Sequence, residues 1–304
     1  MKYERVRYEE FFKKAVALAI VSVLSVGILT ACAGDDQDGA GSKGTVNLGY
    51  VNWSEGIAMT NLAAAILEDE MGYKVDMTLA DVAPIFTSLS SGNTDAFLDA
   101  WLPTTHASYM ERYGDDLDDL GFNYENARLG LVVPEYVDIN SIEELNDKKG
   151  DFNGEIVGID SGAGVMLNTE SAIEQYELDF ELIPGSGPTM TAALKKAIDA
   201  KEPIVVTGWS PHWKFSRWDL KILDDPKNVY GDAEHVHTIA RKGLADDMPE
   251  VAEFLKNFKM TDEELSSLME IIEDNIDDDP IISAREWMKD NKDSYTSWIP
   301  TTEE

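Results

Sequence analysis

From Thr45 onward the chain alternates between short apolar runs and amphipathic stretches, and few folds accept that order. "TVNLGYV" (45–51), "YKVDMTLA" (73–80) and "DAFLDAW" (95–101) read as strands. Residues 55–72 carry apolar side chains at helical spacing and close on Gly72. Residues 82–92 close on Gly92, and "TTHASYMERYG" opens on Thr cap candidates. Such alternation predicts a parallel or mostly parallel sheet, because each crossover helix must cover a sheet face. The pattern changes at "ARLGLVVPEYV" (127–137), a strand broken at Pro134, and then resumes. The second series is a strand at 155–162, a helix over 163–176, a strand at 180–184, a helix over 189–201 and a strand at 203–209. "VHTIARKG" (236–243) reads as a return strand, and Pro249 to Trp298 as helices that pack back on the first half. The expectation is an α/β protein of two lobes. Lobe 1 covers 45–135, lobe 2 covers 136–240, and C-terminal helices over 241–304 return to lobe 1.

Two lobes of this kind suit a protein that closes on a ligand. Ligands of open α/β sheets sit at the carboxyl ends of strands, so the residues just after each strand carry the most information. Trp53 follows the first strand in "GYVNWSEGIA". Trp101 ends the third in "DAWLPTTH", and Trp209 ends the last strand of the second series in "VVTGWSPHW". After "EIVGI" comes "DSGAGVM", a Gly-rich turn leading into a helix. Three of the seven Trp and one Gly-rich turn thus hold equivalent topological positions.

Trp is the best cation–π partner, and several rings around one point make a cage for a quaternary ammonium. Each ring contributes roughly 0.5–2 kcal/mol, whereas a micromolar site needs about −8 kcal/mol. A second anchor is therefore required. The backbone N–H groups of Gly164 and Val165, at a helix start, can hold a carboxylate. His106, one turn beyond Trp101, can add a charge-assisted hydrogen bond. A cage for trimethylammonium beside a cradle for a carboxylate describes a betaine. Choline, which lacks the acid, is the alternative within the class.

The remaining features bound the setting. Asp and Glu number 58 against 25 Lys and Arg, a net charge of −33. The hydrophobic share of 43% is too high for a disordered acidic chain. The surface of the folded protein is therefore strongly acidic. That argues against nucleic acid as a partner, since phosphate binding needs clustered Lys and Arg, and it fits a salt-rich environment. The first 31 residues have a charged start and an apolar run, "AVALAIVSVLSVGILTA", which is the layout of a secretory signal. Leu29-Thr30-Ala31-Cys32 resembles a bacterial-type lipobox, with Cys32 as the lipidated residue. "AGDDQDGAGSKG" after it reads as a flexible tether through residue 44. Cys32 is the only Cys, so an intramolecular disulfide and a thiolate metal cluster are both excluded.

The motifs "W-x-E", "DAWLPTTH", "GLVVP-x-Y", "GIDSGAG", "MTAAL-x-KAI" and "EPIVVTGWSPHWKFS" occur in order between about 45 and 298. In them the chain resembles the substrate-binding components of glycine betaine/proline betaine ABC transporters. The resemblance implies a type II periplasmic-binding-protein fold and a three-Trp cage at Trp53, Trp101 and Trp209. It also implies carboxylate contacts from His106 and from the amides of Gly164 and Val165. A membrane permease would be the protein partner. The lipid anchor would hold a monomer at the outer face of the cell membrane, with no cofactor, no metal and no enzymatic activity. Other features read as structural. Trp213, Trp218, Trp287 and Trp298 lack the strand-end position. Glu55, just after the first cage Trp, suits a helix cap, with negative potential near the cation as its other reading, and the pair in "HVH" (235–237) lacks a third metal ligand. A secreted hydrolase, the reading from a different class, lacks a nucleophile elbow.

Overall fold

The structure, a computed structural model, describes residues 42–301; the apolar run and Cys32 lie outside them. The first series is β1 (Thr45–Tyr50), α1 (Ser54–Asp69), β2 (Lys74–Leu79), α2 (Val82–Ser90), β3 (Ala96–Leu102) and α3 (Ala107–Tyr113). A long strand, β4 (Leu117–Pro134), follows. The second series is β5 (Glu155–Val157), α4 (Gly164–Gln175), β6 (Glu181–Ile183), α5 (Gly187–Ala200) and β7 (Val206–Ser210). Then come α6 (Lys214–Arg217), β8 (Leu220–Ile222) and β9 (Glu234–Arg241). The chain ends in α7 (Leu244–Asp247), α8 (Pro249–Asn257), α9 (Asp262–Asp274), α10 (Pro280–Asp290) and α11 (Lys292–Thr296).

β1 pairs in parallel with β2 and β3, and β5 pairs in parallel with β6 and β7. The strand order is β2-β1-β3-β9-β4-β7-β5-β6, with β8 beside β4. β4 serves both halves. Its Leu117–Ala127 part runs antiparallel to β9, Arg128–Val132 antiparallel to β7, and Val132–Pro134 antiparallel to β8. One expectation changes here. The sheet is mixed rather than mostly parallel, because β9 re-enters the first half antiparallel to both β3 and β4. β4 changes partner from β9 to β7 between Ala127 and Arg128. The first part of β4, "LDDLGFNYENA", is acidic and irregular. Its pairing with β9 shifts register, and Gly121 sits at φ +102°. It therefore carries no clean strand alternation.

α1 is apolar on nearly every side, which suits only an enclosed helix. Ala58, Met59 and Leu62 through Leu67 are buried, and α9 and α10 cover the side away from the sheet. Arg285 of α10 bonds Glu68 and Asp69 at the end of α1. Trp287 donates from Nε1 to Ser267 Oγ at 2.8 Å, and Trp298 packs on Phe258. Both are packing residues. The rigid α1 fixes the position of the loop that precedes it, and this loop carries Trp53.

Candidate functional site

Trp53, Trp101 and Trp209 line one cavity of about 250 Å³, together with Glu55, Thr105, Leu129, Ile159, Ala163, Gly164 and Val165. All three indoles are buried. The rings of Trp53 and Trp209 are 6.4 Å apart and tilted 58° to each other. Strand pairing does the positioning. Trp101 is held opposite Val236 of β9, and Trp209 opposite Leu129 of β4. The two halves meet across this cavity. Trp53 Nε1 of the first donates to Asp160 Oδ1 of the second at 3.1 Å, and Trp209 Nε1 of the second donates to Glu55 Oε2 of the first at 2.7 Å. Arg217 pairs with Asp274 on a parallel path, so the lobes are closed on one another. A space this small, walled by aromatic and apolar side chains, suits a ligand of few heavy atoms.

Carboxylates stand behind the rings. Trp101 Nε1 donates to Asp99 Oδ1 at 2.9 Å, so each of the three indole N–H groups meets an acid. Burial raises the Glu55 carboxyl to about 7, and hydrogen bonding from Trp209 and the charge of Lys214 oppose that rise. Burial and the nearby Glu55 raise Asp99 well above the usual range. Lys214 is fully buried, with Nζ 4.4 Å from the Trp209 ring centre, and burial lowers it to about 7. The expectation that Glu55 serves as a helix cap is corrected: its carboxylate turns into the cavity wall and binds an indole instead.

His106 lies behind the wall rather than in it. It is fully buried, its ring stacks on Trp53 at 6.0 Å, and its edge faces Phe86 and Tyr109. Trp101 N–H donates to His106 Nδ1 at 2.9 Å, and His106 N–H donates to Trp101 O at 2.9 Å. The accepting Nδ1 places the ring proton on Nε2, a buried atom with no partner among the described residues. Burial lowers the ring to about 3. The residue is therefore a neutral donor, and any charge assistance comes from its acceptor. Thr105 takes the place in the wall. Its hydroxyl bonds Glu234, which also accepts the Thr104 and Thr105 amides.

α4 begins at Gly164, and no side chain caps it. The amides of Gly164 and Val165 therefore have no acceptor within the helix, and both residues line the cavity. Five of the six expected ligand contacts thus share one space, and His106 stands one layer back. Sequence reasoning missed Thr105, Asp99 and Asp160. Asp99 left a signal: it is the one acid inside an otherwise apolar strand, and strand alternation puts it on the same face as Trp101. Trp213 and Trp218 pack together at 5.3 Å in a second, wider groove between α5 and α9, which shares Trp209 with the cavity. His237 binds Asp119 and His235 packs on Phe122. Among the described residues no cluster of three or more His, Cys, Asp or Glu could hold a metal, and no helix is long and apolar enough to cross a membrane.

Residues 44–290 match the family described as the substrate-binding domain of the ABC-type glycine betaine transport system. The chain belongs to this family. It is 48% identical over 155 residues to the glycine betaine/carnitine transport binding protein GbuC of Listeria monocytogenes, serotype 1/2a strain 10403S. That match spans about half of each chain: 50% of this one and 51% of the relative. Among solved structures it resembles lactococcal OpuAC, closed and complexed with glycine betaine. The identity is 38% and the TM-score 0.79, over 84% of this chain and 99% of that one. A choline-binding protein of an ABC transporter, complexed with choline, is 29% identical with a TM-score of 0.77, over 84% and 91% of the two chains. These likenesses establish the two-lobed binding-protein fold.

Proposed function

We propose that this chain captures glycine betaine, or a closely related betaine, and delivers it to a membrane permease for osmoprotectant uptake. The observation that carries the reading is the convergence of Trp53, Trp101 and Trp209 on one small closed cavity that the start of α4 also enters. The rings hold the trimethylammonium, and the amides of Gly164 and Val165 take the carboxylate. His106 Nε2–H supports the acid end from behind Thr105. Both lobes contribute, so the ligand is enclosed only on closure, and exclusion of water strengthens the cation–π attraction.

The family works in transport, which favours a binding component over an enzyme. The lipobox-like Leu29-Thr30-Ala31-Cys32 favours a lipid anchor at the outer face of the cell membrane. The choline-bound relative favours choline as the second reading, since Glu55 in the wall would suit a cation that lacks an acid of its own. Trp fluorescence titration in high salt separates the two. Glycine betaine should saturate the signal at far lower concentration than choline, Trp101→Ala should abolish it, and His106→Ala should weaken betaine only. Equal binding of choline, untouched by His106→Ala, would move the reading to choline.

A further inference from the structure

The three cage indoles could have bonded to water, to hydroxyls or to backbone carbonyls. Each instead donates its N–H to a carboxylate, and two of these bonds cross the cleft. Glu55 holds Trp209 at 2.7 Å and Asp160 holds Trp53 at 3.1 Å, each reaching from the opposite lobe. In both acids the second oxygen, Glu55 Oε1 and Asp160 Oδ2, is buried with no partner among the described residues. At the third acid, a Cβ on Gly56 would stand 2.5 Å from Asp99 Oδ2, so the start of α1 packs closely over that carboxylate. Buried carboxylate oxygens left without a partner are costly.

We infer that Glu55 and Asp160 are specificity-determining residues of the cage: by accepting the indole N–H of Trp209 and Trp53 across the cleft, they make closure select a permanent cation over a neutral group of the same shape. This rests on the betaine reading of the cavity. The physical basis is electrostatic. A negative acceptor at the indole nitrogen polarises the ring toward a richer π face, and hydrogen-bonded groups in a low-dielectric site reinforce one another. The carboxylates also act directly on a cation held in the same wall. Because both bonds form only when the lobes meet, the negative field is completed at closure and not before. Other charged groups face the cluster. Lys214 lies over Trp209 and stabilises ionised Glu55, Asp99 opposes it as a like charge, and Asp81 opposes ionised Asp160.

Glu55→Gln and Asp160→Asn keep an acceptor oxygen for each indole and remove only the charge. The probes are glycine betaine and 3,3-dimethylbutanoate, in which a tert-butyl group replaces the trimethylammonium and the acid is unchanged. The wild-type protein should bind the betaine far more tightly. Each substitution should weaken betaine by about tenfold or more and leave the butanoate within about twofold. Asp160 is only half-buried, so Asp160→Asn is the second variant should Glu55→Gln fail to fold. Equal losses for both ligands, or an unchanged ratio between them, would overturn the inference and leave the betaine reading intact. A wild-type protein that binds neither ligand would remove both.

Discussion

Gly164→Ala is expected to keep the protein folded and to hold it open. Gly164 starts α4 in the second lobe, and the three nearest atoms to a Cβ there belong to Thr105 of the first. The added carbon would overlap Thr105 Cγ2, and would stand 3.1 Å from Thr105 O and 3.3 Å from Thr105 Cβ. Thr105 cannot swing aside. Its hydroxyl bonds Glu234, its own amide bonds the same carboxylate at 2.9 Å, and the Thr104 amide does so as well. Overpacking of this kind costs about 1–3 kcal/mol. Here the cost falls on the closed state alone, since in an open molecule the new methyl faces the cleft. Alanine is also at least as good as glycine at a helix start interior to the chain. Betaine affinity should therefore fall by roughly 5- to 150-fold, with Tm unchanged in the absence of ligand. The amide of residue 164 survives the substitution, so the loss is not that of the carboxylate cradle. Calorimetric titration gives Kd and thermal unfolding gives Tm. Thr105→Ser removes the clashing methyl and keeps the bond to Glu234, so Gly164→Ala with Thr105→Ser should recover much of the affinity. Unchanged affinity in the single variant, or an equal loss in the double, would refute the closed contact between Gly164 and Thr105.

Three further outcomes follow from the charges. Glu55, raised to about 7 by burial, must ionise to favour a bound cation. A ligand cation lowers that value in the complex, so betaine affinity should weaken as pH falls below about 7 and level off above it, an effect that Glu55→Gln should remove. His106, lowered to about 3, stays neutral in the fold while the unfolded chain takes up a proton near 6.5. Stability should therefore be lost as pH drops from 6.5 toward 3, by up to about 5 kcal/mol. His106→Asn should flatten the urea-unfolding dependence on pH in that window by close to one proton, and an unchanged slope would count against a buried neutral ring. Finally, with a net charge of −33, Tm should rise with added NaCl as the screening length shortens from about 10 Å at 0.1 M to about 3 Å at 1 M. Equal stability without salt would contradict the self-repulsion argument.

The sequence makes Trp53, Trp101 and Trp209 legible because topology, not packing detail, decides where a strand ends. The start of α4 was legible for the same reason: a Gly-rich turn after a strand leaves free amides wherever the lobe sits. What depends on the lobes meeting was not legible. Glu55 stands where a helix cap belongs, and only closure turns it toward an indole 154 positions away. Asp160 likewise lies in a turn whose partner, Trp53, comes from the other lobe. His106 follows Trp101 closely in the sequence, but its depth depends on how the 101–106 loop folds back on itself through two bonds between the same residues. The acidic half of β4 hid for a different reason. A strand that changes partner midway and carries bulges presents no single alternating face.

A crystal structure of the protein grown with glycine betaine tests the account most directly. The trimethylammonium should lie within about 6 Å of the ring centres of Trp53, Trp101 and Trp209. The carboxylate should lie on the amides of Gly164 and Val165. Betaine found instead in the outer groove beside Trp213 and Trp218, or turned end for end within the cavity, would contradict it.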